Sequence, residues 1–138
     1  MADPTFTMIA GAPTPVAPFS HAVEADGWVF ITGQMPTWPD DDSRALPDGV
    51  EAQTRRVMDN LIIVLKGVGL ELRHVVQVRI YLTEFKRDYA AMNATYASYF
   101  PENRRPARWI PRQWRDKPAA TTPSRRPARI GSMFTTRT

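Results

Sequence analysis

The sequence predicts an α+β domain in which two helices cover one face of a β-sheet. Three observations predict it: runs of period-two apolar spacing, two longer segments of helical spacing, and their order, strand, strand, helix, strand, helix. A chain of 138 residues suits one domain, taken here as 1–138.

The first two strands lie in SHAVEADGWVFITGQMP, where Asp26-Gly27 supplies the pair that a tight type I′ turn needs. Trp28, Phe30 and Thr32 alternate with Val29, Ile31 and Gly33, so the second strand is apolar on both faces and reads as central. TWPDDDSRALPDG is rich in proline and aspartate and reads as an exposed loop. Its acidic run, Asp40 to Asp42, fits a solvated loop better than a cation site, because no second carboxylate cluster accompanies it. From Glu51 to about Lys66, helical spacing sets Val57, Leu61, Val64, Leu65 and Val68 on one stripe, and Gly67 and Gly69 provide a stop. In HVVQVRIYL the period returns to two, with Val76, Val78, Ile80 and Leu82 assigned to one face. A second helix fits FKRDYAAMNATYASYF, its stripe of Tyr89, Met92, Tyr96 and Phe100 read as core and its end set by Pro101. Beyond Phe100 regularity fails; six of the 13 prolines follow, Pro111 breaks a run from Ala107 to Trp114, and ARIGSMFTT is the candidate last strand.

Composition excludes several classes of function. Without cysteine there is no disulfide, thiolate metal site or cysteine nucleophile, and His21 and His74 are too few for a histidine-rich metal cluster. No run approaches the ~20 apolar residues of a membrane helix, and the N-terminus lacks a signal-peptide pattern, so a soluble cytoplasmic protein is expected. Charge is split: residues 1–104 carry 13 acidic and nine basic side chains, residues 105–138 one acidic and nine basic. A basic ending suits an acidic partner, but only Trp109, Trp114 and Phe134 interleave with it, and the reading weighs against nucleic acid.

APFSHAV, VFITGQMP, QTRRVMDNLIIVL, VVQVRIYL, MNATYASYF and RPAR stand in the order and spacing of the Rid family of reactive-intermediate deaminases, also called YjgF-type proteins. The resemblance covers about residues 6–108, and 109–138 form a divergent basic ending rich in proline and arginine. It implies a chorismate-mutase-like fold, a mixed sheet with two helices on one face, and a homotrimer whose sheets close a central barrel with ligand clefts between subunits. It also implies hydrolysis of small enamines and 2-imino acids to 2-keto acids and ammonia, with no metal or organic cofactor.

Such a substrate carries a carboxylate beside an electrophilic C=N carbon. A planar guanidinium can donate two parallel hydrogen bonds to that carboxylate and stays charged at any working pH. Arg108, in the PAR block, matches the carboxylate-binding arginine of the resemblance, and Ile110 falls where a backbone N–H meets the ligand. Thr32 and Gly33 match pocket-lining residues, although strand packing explains them equally well, and Asn93 matches a pocket asparagine. Phe19 stands where a tyrosine is usual, so the aromatic wall is kept and a hydroxyl lost. His21 is read as a polar strand residue, not an acid or base. The glutamate of a final VEIE-type strand has no counterpart; the ending is either a reading-frame change or a divergent terminus, with residues 128–136 the candidate to cover a lost edge strand. The alternatives to a deaminase are a non-catalytic binding protein for small carboxylates, RNA binding or ribonuclease action through the basic tail, and a purely interacting trimer.

Overall fold

A computed structural model describes residues 2–100 together with the strand at 130–137. The elements are β1 (Thr5–Thr7), β2 (Ala22–Ala25), β3 (Trp28–Gln34), α1 (Val50–Gly67), β4 (Val75–Leu82), α2 (Phe85–Ala97) and β5 (Ile130–Arg137), with a 3₁₀ turn at Leu72–His74. The sheet runs β1-β2-β3-β5-β4, and every described pairing is antiparallel where the resemblance implied a mixed sheet.

The β2–β3 hairpin forms as expected, because Asp26 (φ 49°) and Gly27 (φ 74°) both take the positive φ of a type I′ turn. β3 is central. Its central position is completed by β5, which lies between β3 and β4 and does not repair an edge. This corrects the expectation that the last strand covers a sheet edge. The correction has a physical basis: β3 and β4 run in the same direction, and an antiparallel strand between them satisfies the inner ladders of both.

Strand alternation sorts residues between the two faces. A row through Ala22, Ile31, the Phe134 position and Val78 crosses the sheet on the helix side, and Ala22, Ile31 and Val78 are buried. On the opposite face a row runs through Phe6, Val23, Phe30, the Thr135 position and Gln77. Within β4 the expected stripe is interrupted. Val75 pairs with Thr136 and Gln77 with Thr135, so Val76 is the extra residue of a β-bulge; it is exposed while Val75 enters the core.

On α1, Val57, Met58, Leu61, Val64 and Leu65 are buried, with Val68 packed at the margin of the core. The helix ends as its glycines require: Gly69 takes φ 74°, its N–H donates to Lys66 O, and the Leu70 N–H donates to Leu65 O, which seats Leu70 in the core. Met92, Tyr96 and Phe100 are buried on the α2 side, and Tyr89 packs against them at the edge. Both helices lie on one face, α1 over β3 and β5 and α2 over β4. No helix among the described residues is long and apolar enough to cross a membrane.

Candidate active site

Two pieces of chain far apart in sequence meet at β3. Between Ile31, which pairs with Phe134, and Gln34, which pairs with Ser132, the ladder shifts register. Thr32 and Gly33 therefore stand opposite the single position Met133, and this bulge turns the strand where a regular ladder would run on. The Thr32 hydroxyl donates to the Ser20 carbonyl, and the Thr32 N–H donates to His21 O at 3.0 Å. The Thr32 carbonyl accepts from the buried Gln34 side-chain amide at 2.9 Å. Phe19, next to Ser20, is 41% exposed, so it is not used up in the core.

The predicted site residues divide accordingly. Phe19, Thr32 and Gly33 come together at the start of β2 and the bulge of β3. Asn93 is half-buried on α2, which packs on β4 and α1, with β5 between β4 and β3. Within one chain it is not carried by an element next to Thr32. Arg108 and Ile110 lie outside the described residues.

His21 does far more than a polar strand residue would. It is 5% exposed; Nδ1 accepts from the Ile9 N–H at 2.9 Å and Nε2 donates to Pro13 O at 2.9 Å. Because Nδ1 accepts, the proton sits on Nε2 and the ring is neutral, an assignment made from the bonds. Asn60 was also missed. Fully buried, it donates to Met35 O at 2.9 Å and Thr37 O at 2.8 Å and accepts from Arg56 Nε at 3.1 Å, which fixes the exit of β3. The only sequence signal for either residue was a polar side chain beside an apolar stretch.

The remaining polar features serve the scaffold. Trp38 donates to Ala45 O at 2.9 Å, and the Arg44 guanidinium lies 3.7 Å from its ring centre, which folds the β3–α1 loop on itself. Asp41 accepts from the Ser43 hydroxyl at 2.6 Å and the Ser43 N–H at 2.9 Å; these bonds hold its carboxyl below the usual range. Among the described residues no group of carboxylates and histidines could hold a metal ion. Burial pushes the Tyr96 phenol well above its ordinary value, and its hydroxyl finds no partner among the described residues. Tyr99 is raised by burial and by Asp59, to which its hydroxyl donates at 3.4 Å.

This α+β fold is already seen in other proteins. The sequence model of the Endoribonuclease L-PSP family matches residues 9–111. A RutC family protein of Pyrococcus horikoshii is 39% identical over 97 residues, covering 70% of this chain and 75% of its own. The 3-aminoacrylate deaminase RutC of Acinetobacter baylyi is 38% identical over 99 residues, covering 72% of this chain and 76% of its own. A Rid family protein of Yersinia pestis superposes with a TM-score of 0.77 at 23% identity, over 99% of this chain and 100% of its own, and shares the fold. The chain belongs to this family, known also as YjgF, RutC or Rid. These relatives support a deaminase.

Proposed function

We propose that the protein hydrolyses small 2-imino acids and their enamine tautomers to 2-keto acids and ammonia, in the cytoplasm, as a homotrimer with its sites between subunits. In this reading Arg108 holds the substrate carboxylate through paired hydrogen bonds, and the Ile110 N–H faces the ligand. Phe19, Thr32 and Gly33 form one wall, and Asn93 joins them from a neighbouring subunit. A water molecule adds to the C=N carbon, forming the C–O bond. Two protons pass from that oxygen to nitrogen, and the C–N bond breaks to release ammonia and leave the keto group. No residue of the chain is assigned as the general base, so the nitrogen of the substrate is the base available to accept these protons.

The observation that carries the reading is the junction at β3. Thr32 and Gly33 occupy a bulge that is hydrogen-bonded to Ser20, the neighbour of Phe19, which supports grouping these two blocks in one site. The trimer is supported by the open sheet face, where Phe6, Phe30 and Tyr81 are exposed in a soluble-sized fold. Three copies related by a closed rotation would cover it.

A second reading, carboxylate binding without catalysis, is favoured by one observation: the Thr32 hydroxyl proton is committed to Ser20 O and Phe19 has no hydroxyl, so neither donates to substrate or water. Generating 2-imino acids with an amino-acid oxidase in the presence of semicarbazide separates the two. Diversion of the imine to keto acid supports the deaminase. Pyruvate binding without diversion supports the second reading.

A further inference from the structure

We infer that His21 is the positioning residue of this site, the group that holds the segment carrying Phe19 against β3. The inference rests on the proposed site and deepens it. All four polar groups of His21 are engaged. Its backbone N–H donates to Thr7 O at 3.1 Å and its carbonyl accepts from the Thr32 N–H at 3.0 Å. Its ring accepts from Ile9 at 2.9 Å and donates to Pro13 at 2.9 Å. One residue thus joins the three parts, its backbone bonding β1 and the bulge of β3 and its side chain bonding both ends of the turn at Ile9–Pro13.

The consequence is a loop closed at its base. Residues 14–19 run between Pro13, whose carbonyl is tied to His21, and Ser20, whose carbonyl is tied to Thr32. Val16 and Phe19 within it are exposed, so few packing contacts restrain the loop from above. The lower anchor is made firm by Ile9, buried against Gly67 at the end of α1. Without the imidazole, the Ile9 N–H and the Pro13 carbonyl would both be left buried and unpaired, and the segment would relax toward water.

The chemistry required is narrow: an acceptor and a donor about 2 Å apart on one neutral side chain. A glutamine carboxamide supplies the same pair, with Oε1 for Ile9 and Nε2 for Pro13. A leucine fills similar space and supplies neither. His21→Leu and His21→Gln therefore separate the hydrogen bonds from the volume.

The test measures amide hydrogen exchange over residues 8–20, together with kcat and KM for imine hydrolysis, in wild type and both variants. The expected result for His21→Leu is fast exchange over residues 8–20 with α1 and α2 still protected. Its kcat/KM should fall roughly 10- to 100-fold, as displaced positioning groups cost, and mainly through kcat, since Arg108 still holds the carboxylate. His21→Gln should restore slow exchange and bring kcat/KM to within about threefold of wild type, well inside that positioning loss. The inference is overturned if His21→Leu leaves exchange unchanged, if it frees the segment without lowering kcat/KM, or if His21→Gln behaves like His21→Leu. Should His21→Leu not fold, His21→Ala, which also removes both ring nitrogens, takes its place and the same outcomes decide. Exchange is read on the protein alone, so absence of hydrolysis by wild type overturns the deaminase reading while exchange still decides whether His21 braces the segment.

Discussion

Replacing Asn60 by leucine should cost the fold about 3 kcal/mol, the balance of two part-buried carbonyls left unpaired at ~1–3 kcal/mol each against the apolar burial gained by leucine. The figure follows from position: Asn60 is fully buried on α1, and its amide supplies the carbonyls of Met35 and Thr37 with donors at 2.9 and 2.8 Å. Its oxygen also accepts from Arg56 Nε at 3.1 Å, and this partner loses less, because Arg56 keeps Asp59 at 3.9 Å and the face of Trp38. With a urea m-value of ~2 kcal/mol per molar, the midpoint should fall by about 1.5 M. Protomer concentration must be held fixed, because association would shift the transition. Asn60→Asp should be at least as harmful at neutral pH, since a carboxylate oxygen would face two carbonyl oxygens. A loss below about 1 kcal/mol for Asn60→Leu, the scale of one ordinary hydrogen bond, would refute the claim that this side chain fixes the exit of β3.

Other expectations follow from packing and from the open face. A Cβ on Gly67 would lie 2.4 Å from Ile9 Cγ2 and 2.8 Å from Cγ1, so Gly67→Ala should destabilise by ~1–2 kcal/mol despite the better helix propensity of alanine. Ile9→Ala removes the clashing atoms, so thermal melts of the double variant should show less than the sum of the single losses. Phe30→Glu sets a charge in the row with Phe6 and Val23 and should convert the proposed trimer to monomers in sedimentation, with far-UV circular dichroism unchanged; a variant that stays trimeric would remove the sheet face from the proposed interface.

Much of the fold was legible because its signals are local. Asp26-Gly27 fixes the hairpin through φ alone, and the stripe of Val57, Leu61, Val64 and Leu65 fixes α1 through its period. What escaped depends on partners distant in sequence. β1 has three residues and exists by pairing Thr5–Thr7 with Ala22–Glu24; TFT suits a strand, but three residues are too few to show a period. The central place of β5 is set by β3 and β4, and the bulge at Val76 by the ladder with β5; period two therefore assigned Val76 to the core where Val75 belongs. At the site, Phe19, Thr32 and Gly33 were marked by matching blocks, and their junction through the Ser20 carbonyl emerged only in three dimensions. His21 was weighed as an acid or base against a strand residue. Its actual partners, Ile9 N–H and Pro13 O, are backbone groups 12 and eight residues away, which side-chain pattern does not encode.

The most direct test of the central claim is the fate of a 2-imino acid generated by an amino-acid oxidase with semicarbazide as competing trap, measured with wild type and Arg108→Ala. The account predicts that wild type diverts the imine to keto acid. Arg108→Ala, still folded and trimeric, should do so with kcat/KM at least about tenfold lower, the weight of one charge-assisted hydrogen bond. No diversion by folded, trimeric wild type, or equal diversion by both proteins, would contradict it.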